Sequence, residues 1–225
     1  HYARARAAGV DLSAWAFNKA YVLDGPLGHF DEAIAALRDA ELKDPLAPTL
    51  KWILIEMQLA AGRTAPALET AERLHQCQPR VPGSMAYEAY AFLAAGDLTR
   101  AEQSLLELKA ATSDDFWHVA LIKFEICAAT GKGEDAQRLL DDLMSKIDAG
   151  VMVSPFIIAV GYAALGDSGQ AIEWWKRAVE QHHPHWVQMT TRFRCHPVVG
   201  KDPRFLALLK RMGLESDADK KGAGT

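Results

Sequence analysis

Cysteine is scarce in this 225-residue chain, with three residues at positions 77, 127 and 195. An odd number spaced that widely disfavours the disulfide framework that staples small secreted domains. Cys77, Cys127 and Cys195 are therefore expected to be small apolar residues of the interior. No apolar run approaches the ~18 residues that a membrane span needs. The first ten residues are broken by Arg4 and Arg6 and lack the apolar centre of a secretory leader. Basic charge is not in excess either, since 25 Lys and Arg face 29 Asp and Glu for a net charge of -4. That balance argues against a generally cationic nucleic-acid binder. Catalytic signatures are missing as well: there is no G-x-S-x-G, H-E-x-x-H, Walker phosphate loop or G-x-G-x-x-G. Gly131-Lys132-Gly133 resembles a phosphate-loop fragment only superficially and reads as a turn between helices. The expectation is a non-enzymatic chain without cofactor or metal, cytoplasmic unless an anchor outside this sequence places it in the periplasm. What is present is a globular composition, 49% hydrophobic and 24% charged, long enough to bury a core.

The chain repeats itself. Gly28, Gly62, Gly96, Gly131 and Gly166 are separated by 34, 34, 35 and 35 residues. Five residues after each glycine stands an alanine: Ala33, Ala67, Ala101, Ala136 and Ala171. Four residues on come Leu37, Ala71, Leu105, Leu140 and Trp175, and three further Ala40, Leu74, Leu108, Leu143 and Ala178. At 3.6 residues per turn these positions form one stripe on a helix. The alanine lets a neighbouring helix approach, and the glycine ends the preceding helix in a left-handed cap. Asp31, Asp97 and Asp167 follow the glycines, where a helix N-terminus favours negative charge. Each unit reads as two helices joined by a tight turn. First helices are expected at 13–23, 47–61, 83–95, 115–130 and 154–165, and second helices at 31–42, 65–76, 98–111, 134–149 and 168–181. Asp24-Gly25-Pro26 is expected to cut the opening helix short.

On this period and these small-residue positions the chain resembles the tetratricopeptide repeat proteins. Phe30-Asp31-Glu32-Ala33-Ile34 running to Asp44-Pro45 carries the resemblance, as does Gly161-Tyr162-Ala163-Ala164-Leu165-Gly166 running to Ala171-Ile172-Glu173. It covers residues 13–184 and implies an all-α, right-handed α-solenoid of about five helix hairpins. It also implies a concave groove lined by the first helix of each hairpin. Carried onto this chain, the inward positions hold Trp52, Ile53 and Glu56, then Tyr87 and Tyr90. They continue with His118, Leu121, Ile122 and Glu125, and end with Phe156 and Val160. Such a surface suits a helix or extended peptide of a protein partner, with carboxylates selecting a basic residue. The lysine and asparagine clamp of the chaperone-type members is not reproduced beyond Asn18 and Lys19.

Residues 1–12 read as the remnant of a preceding helix, and residues 185–214 as a C-terminal cap. In the cap Asp202 precedes Pro203 at a helix start and Gly213 stops that helix. Residues 215–225, poor in apolar side chains, read as a disordered tail. The stretch from His196-Pro197 to Gly213-Leu214 resembles the ending of bacterial regulatory proteins in which such repeats follow a winged-helix, cyclase or kinase domain. The cap concentrates Arg192, Arg194, Lys201, Arg204, Lys210 and Arg211 against Asp202 alone. A sensor or nucleic-acid-contacting role through this basic cap is the alternative to the groove. His182-His183-Pro184-His185 and Cys195-His196 carry metal-ligand types without a paired ligand motif on one helix face, and read as helix-end residues.

Overall fold

The computed structural model describes residues 11–113 and 116–216. The expected N-terminal remnant falls almost wholly outside them, as does most of the expected tail. Among the described residues the chain is helical, without a strand. The opening hairpin is α1 (Leu12–Asn18), a π-helical segment (Lys19–Asp24) and α2 (Gly25–Leu27), followed by α3 (Phe30–Glu41). Four further hairpins follow: α4 (Pro48–Ala60) with α5 (Thr64–Cys77), and α6 (Pro82–Ala94) with α7 (Leu98–Ala111). Then come α8 (Trp117–Thr130) with α9 (Gly133–Asp148), and α10 (Pro155–Ala164) with α11 (Ser168–Glu180). The chain ends in α12 (Trp186–Cys195), a 3-10 turn (Val199–Lys201) and α13 (Pro203–Arg211).

The repeat signature works as its chemistry requires. Gly28, Gly62, Gly96, Gly131 and Gly166 all have positive φ, from 68° to 79°. The five alanines are at most 1% exposed, so helices meet where a larger side chain would hold them apart. Asp97 and Asp167 accept from the backbone N–H of Arg100 and Gln170, capping α7 and α11. The buried residues run along the array in three packed sections centred on Leu37 and Leu54, on Leu74 and Leu108, and on Phe124, Phe156 and Trp175.

The opening helix does not stop at residue 23. Pro26 lacks an N–H and would clash with the carbonyl four residues back. The chain widens instead into π turns, in which Gly25 N–H donates to Ala20 O, and continues to Leu27. The last two helices also differ from a simple cap. α12 and α13 pack as a further hairpin, with Phe205 of α13 against Trp175 of α11 and Phe193 of α12. Ser168 of α11 donates to Asp202 at 2.8 Å. α12 then reaches back across the inner side to the opening hairpin: Arg194 donates to the carbonyl of Pro26 at 2.9 Å. A Cβ on Gly25 would lie 2.8 Å from Thr191 Oγ1. The array thus closes on itself, with its last inner helix packed against its first.

Candidate functional site

The inner face is built from α4, α6, α8 and α10, and α12 lies across it. Gln188 is the centre of a buried network. Its Nε2 donates to Glu56 Oε2 at 3.1 Å, and Tyr87 OH donates to the same oxygen at 3.1 Å. Tyr21 OH donates to Gln188 Oε1 at 3.4 Å, which ties the opening hairpin into the network. One helical turn further on, Arg192 Nη1 donates to Glu125 Oε1 at 2.5 Å, and its guanidinium lies 4.3 Å from the centroid of Tyr90. Tyr90 OH shares a 2.9 Å hydrogen bond with His118 Nδ1. Cys195, at the end of α12, donates to the carbonyl of Ala60 at 3.3 Å. Trp175 Nε1 donates to Thr190 Oγ1 at 3.0 Å on the opposite side of α12.

These environments set the charges. Burial raises the Glu56 carboxyl above its ordinary range, opposed by Arg192 and by the bonds from Tyr87 and Gln188. Burial works against the charge on Arg192, but Glu125, Tyr90 and Glu56 outweigh it and hold the guanidinium protonated. Burial pushes His118 well down, and Arg192 and His185 act in the same sense. Partial desolvation by the neighbouring helix ends pushes the Cys195 thiol, still exposed at its surface, up to about 11, so it is neutral at physiological pH.

Between α12 and the C-terminal halves of α4, α6, α8 and α10 a cavity of about 750 Å³ remains. That is within the ~300–1,000 Å³ of pockets that hold ligands. Its walls are mainly small or aliphatic, among them Leu59, Leu93, Ala128 and Ala163, with Phe193 beside them, and Ala94, Ala128 and Ala129 are solvent-exposed. Glu56, Tyr87, Tyr90, Glu125 and Val160, all expected at the groove, line this cavity.

The other expected groove residues lie elsewhere. Ile53, Leu121, Ile122 and Phe156 are core side chains, at most 3% exposed. A shift of one residue turns a helical side chain by about 100°, and these positions face the neighbouring hairpin instead of the hollow. Trp52 stacks on Tyr87 with centroids 6.0 Å apart and donates to Ser84 Oγ at 3.2 Å. His118 is buried between Trp117 and Tyr90. The groove expected to stand open is occupied by the chain's own α12. Arg192 and Gln188 are the site residues that sequence reasoning did not assign to the hollow. A signal existed: Gly200 follows Gly166 by 34 residues, continuing the period into a further unit. Phe205 in the small-residue position conceals it.

The other candidates disperse. His183 and His185 pack near Trp117 at the start of α12, whereas Cys195 and His196 stand at its far end, about 15 Å away at 1.5 Å per residue. His196 Nδ1 accepts from the N–H of Val198 and Val199. Among the described residues no group of three His, Cys, Asp or Glu is placed to hold a metal ion. Cys77 and Cys195 are exposed and not interior residues, because each sits at a helix end. Of the basic cap, Arg192 and Arg194 face inward onto partners in the fold, and Arg204 is paired with Asp202 at 2.6 Å. No helix among the described residues is long and apolar enough to cross a membrane.

No family model matches the sequence, and no curated protein matches it. Solved structures do. A tetratricopeptide repeat protein from Parabacteroides merdae is similar at TM-score 0.56 and 14% identity, over 97% of this chain and 85% of that one. A thermophilic TPR protein of Thermus thermophilus is similar at TM-score 0.52 and 22% identity, over 74% of this chain and 89% of that one. At these identities the likeness is one of fold: the chain is an all-α solenoid of tetratricopeptide type.

Proposed function

We propose that the chain is a non-enzymatic protein-interaction scaffold and that a short segment of its partner enters the cavity beside α12. The cavity of about 750 Å³ carries this reading, because it is the part of the inner face that α12 leaves free. A full helix along the groove would have to displace α12. Met189, Thr190, Thr191 and Phe193 of that helix are at most 1% exposed, so its removal would strip part of the core. A partner that inserts a few side chains leaves this packing intact. The stacked hairpins hold the walls in place beforehand, which lowers the ordering cost of binding. The resemblance of the C-terminal stretch to the ending of bacterial regulators supports placing the scaffold within a regulatory protein.

The test is affinity capture from the source cell with the wild-type chain and with Ala128→Trp. Ala128 is an exposed position of the cavity wall, where a large side chain fills the opening without entering the core. The reading requires that a protein retained by the wild type is lost by the variant while the circular dichroism of the two agrees. Retention of the same protein by both would remove the cavity as the contact site.

A further inference from the structure

The turn between α9 and α10 is fixed in its backbone and apolar in its side chains. Val151 N–H donates to Lys146 O at 2.9 Å, Gly150 takes the left-handed conformation at φ 81°, and Ser154 caps α10. The segment Ala149-Gly150-Val151-Met152-Val153-Ser154 carries no charge. Met152 is nevertheless 98% exposed and Val151 52%. Single exposed aliphatic side chains are ordinary, but two adjacent ones held out on a fixed turn form a tip already shaped for apolar contact. Leu42 and Leu46, on the corresponding turn of the opening unit, are exposed too, but Lys43 and Asp44 stand between them.

The cavity beside α12 matches that tip in chemistry. Its polar wall groups are already bonded within the fold: Arg192 holds Glu125, Tyr87 and Gln188 hold Glu56, Tyr90 holds His118, and Thr191 Oγ1 donates to Val187 O. Burial favours the neutral form of the Glu56 carboxyl, and the Cys195 thiol and His196 imidazole are neutral as well. The walls therefore carry no net charge, and an occupant meets chiefly Leu59, Leu93, Val160 and Ala163. An aliphatic tip gives up no hydrogen bond there, whereas a charged side chain would be desolvated without a partner. The tip precedes the first residue of α10, and the cavity takes its α10 wall from Val160, Ala163 and Ala164 toward the other end. With 10 residues, α10 is about 15 Å long, so a molecule's tip does not reach its own cavity.

We propose that the chain self-associates head to tail, the Val151-Met152 tip of one copy entering the cavity beside α12 of the next. This rests on the reading of the cavity as the place where a partner's segment enters, and names that segment. Tip and cavity are different surfaces, so each added copy leaves one of each free and the assembly grows instead of closing as a symmetric pair.

Sedimentation equilibrium of the full chain tests it. One loop tip buries less than the ~800 Å² per partner of a standard interface, so association is expected at about 0.1–1 mM. Over that range the weight-average mass of the wild type should rise past that of two chains, and do so equally at low and high salt. Met152→Glu alters a side chain that touches little of its own fold, and Ala128→Trp fills the cavity opening. Each should hold the protein at the mass of one chain with unchanged circular dichroism. Mixed in equal amounts, the two variants should form a pair and stop there, since one keeps a cavity and the other a tip. Leu46→Glu should associate as the wild type does. A wild type that stays monomeric or stops at two copies, variants that fail to pair when mixed, association abolished by salt, or its loss through Leu46→Glu and not Met152→Glu would each overturn the proposal. A monomeric wild type whose captured protein is still lost by Ala128→Trp would remove the second copy as occupant and leave the cavity as the partner site.

Discussion

Two effects of opposite sign meet at Gly25, so replacing it tests the closure of the array by direction as well as size. Its backbone is helical, with φ -58° and ψ -55°, so alanine is conformationally permitted. In an unobstructed helix Gly→Ala stabilises by about 0.8–1 kcal/mol. Here the new Cβ would lie 2.8 Å from Thr191 Oγ1, 3.0 Å from Ala20 O and 3.2 Å from Met57 Cε. Thr191 is 1% exposed and its hydroxyl donates to Val187 O at 3.3 Å, so it cannot retreat cheaply. Overpacking of this kind costs about 1–3 kcal/mol, which offsets or exceeds the propensity gain and leaves a net loss of up to about 2 kcal/mol. For a chain of this size that lowers Tm by up to about 8 °C. Far-UV circular dichroism during urea and thermal unfolding measures it. Repeating the substitution in a Thr191→Ala background removes the obstructing oxygen, and the cost of Gly25→Ala then falls by about 1 kcal/mol. A stabilising Gly25→Ala, or the same cost in both backgrounds, would refute the contact between the first and last inner helices.

Removing Arg192 strands Glu125. Breaking a buried pair costs about 3–5 kcal/mol, but the Glu125 side chain is 32% exposed, so Arg192→Met is expected to cost about 1–3 kcal/mol in urea unfolding. Adding Glu125→Gln should recover part of it, and strictly additive losses would contradict the pairing. Stability should also depend on pH through His118. Burial lowers its pKa in the folded chain, so between that value and the ~6.5 of an unfolded histidine the unfolded state binds more protons. Stability from this group is complete above about pH 6.5 and declines as pH falls through that window. His183, His185 and His196 act in the same sense, and the raised carboxyl of Glu56 acts in the opposite one. His118→Gln should flatten the acid side of the stability profile, and an unchanged slope would exclude it as a contributor.

The hairpins were legible because their signals are local. A glycine that must adopt positive φ and an alanine that must fit between helices leave a mark in every unit, and they brought most helix ends within two residues of their observed positions. The π segment was not legible, since Asp24-Gly25-Pro26 looks like a stop whenever its i→i−4 bonds are the only ones considered. The inner face was half legible. Glu56, Tyr87, Tyr90, Glu125 and Val160 line the hollow as their positions implied, whereas Ile53, Leu121 and Phe156 lie in the core. Helical spacing names a face only to within a residue or so, and stacking decides the remainder. What no spacing showed is that α12 lies across the hollow and leaves only part of it free. Gln188 finds Glu56 across 132 residues of sequence, and such a contact depends on the accumulated curvature of all the hairpins between them.

Closure can be measured directly by cross-linking. Cys195 Sγ lies 3.3 Å from Ala60 O, joining the end of α12 to the end of α4. In a chain carrying Cys77→Ser, Cys127→Ser and Ala60→Cys, a short bismaleimide should join positions 60 and 195 within one molecule. Near-complete intramolecular linkage, seen as the joined peptide by mass spectrometry, is the expected result. Two freely modified cysteines with no joined peptide would show an array that stays open, and the cavity beside α12 would go with it.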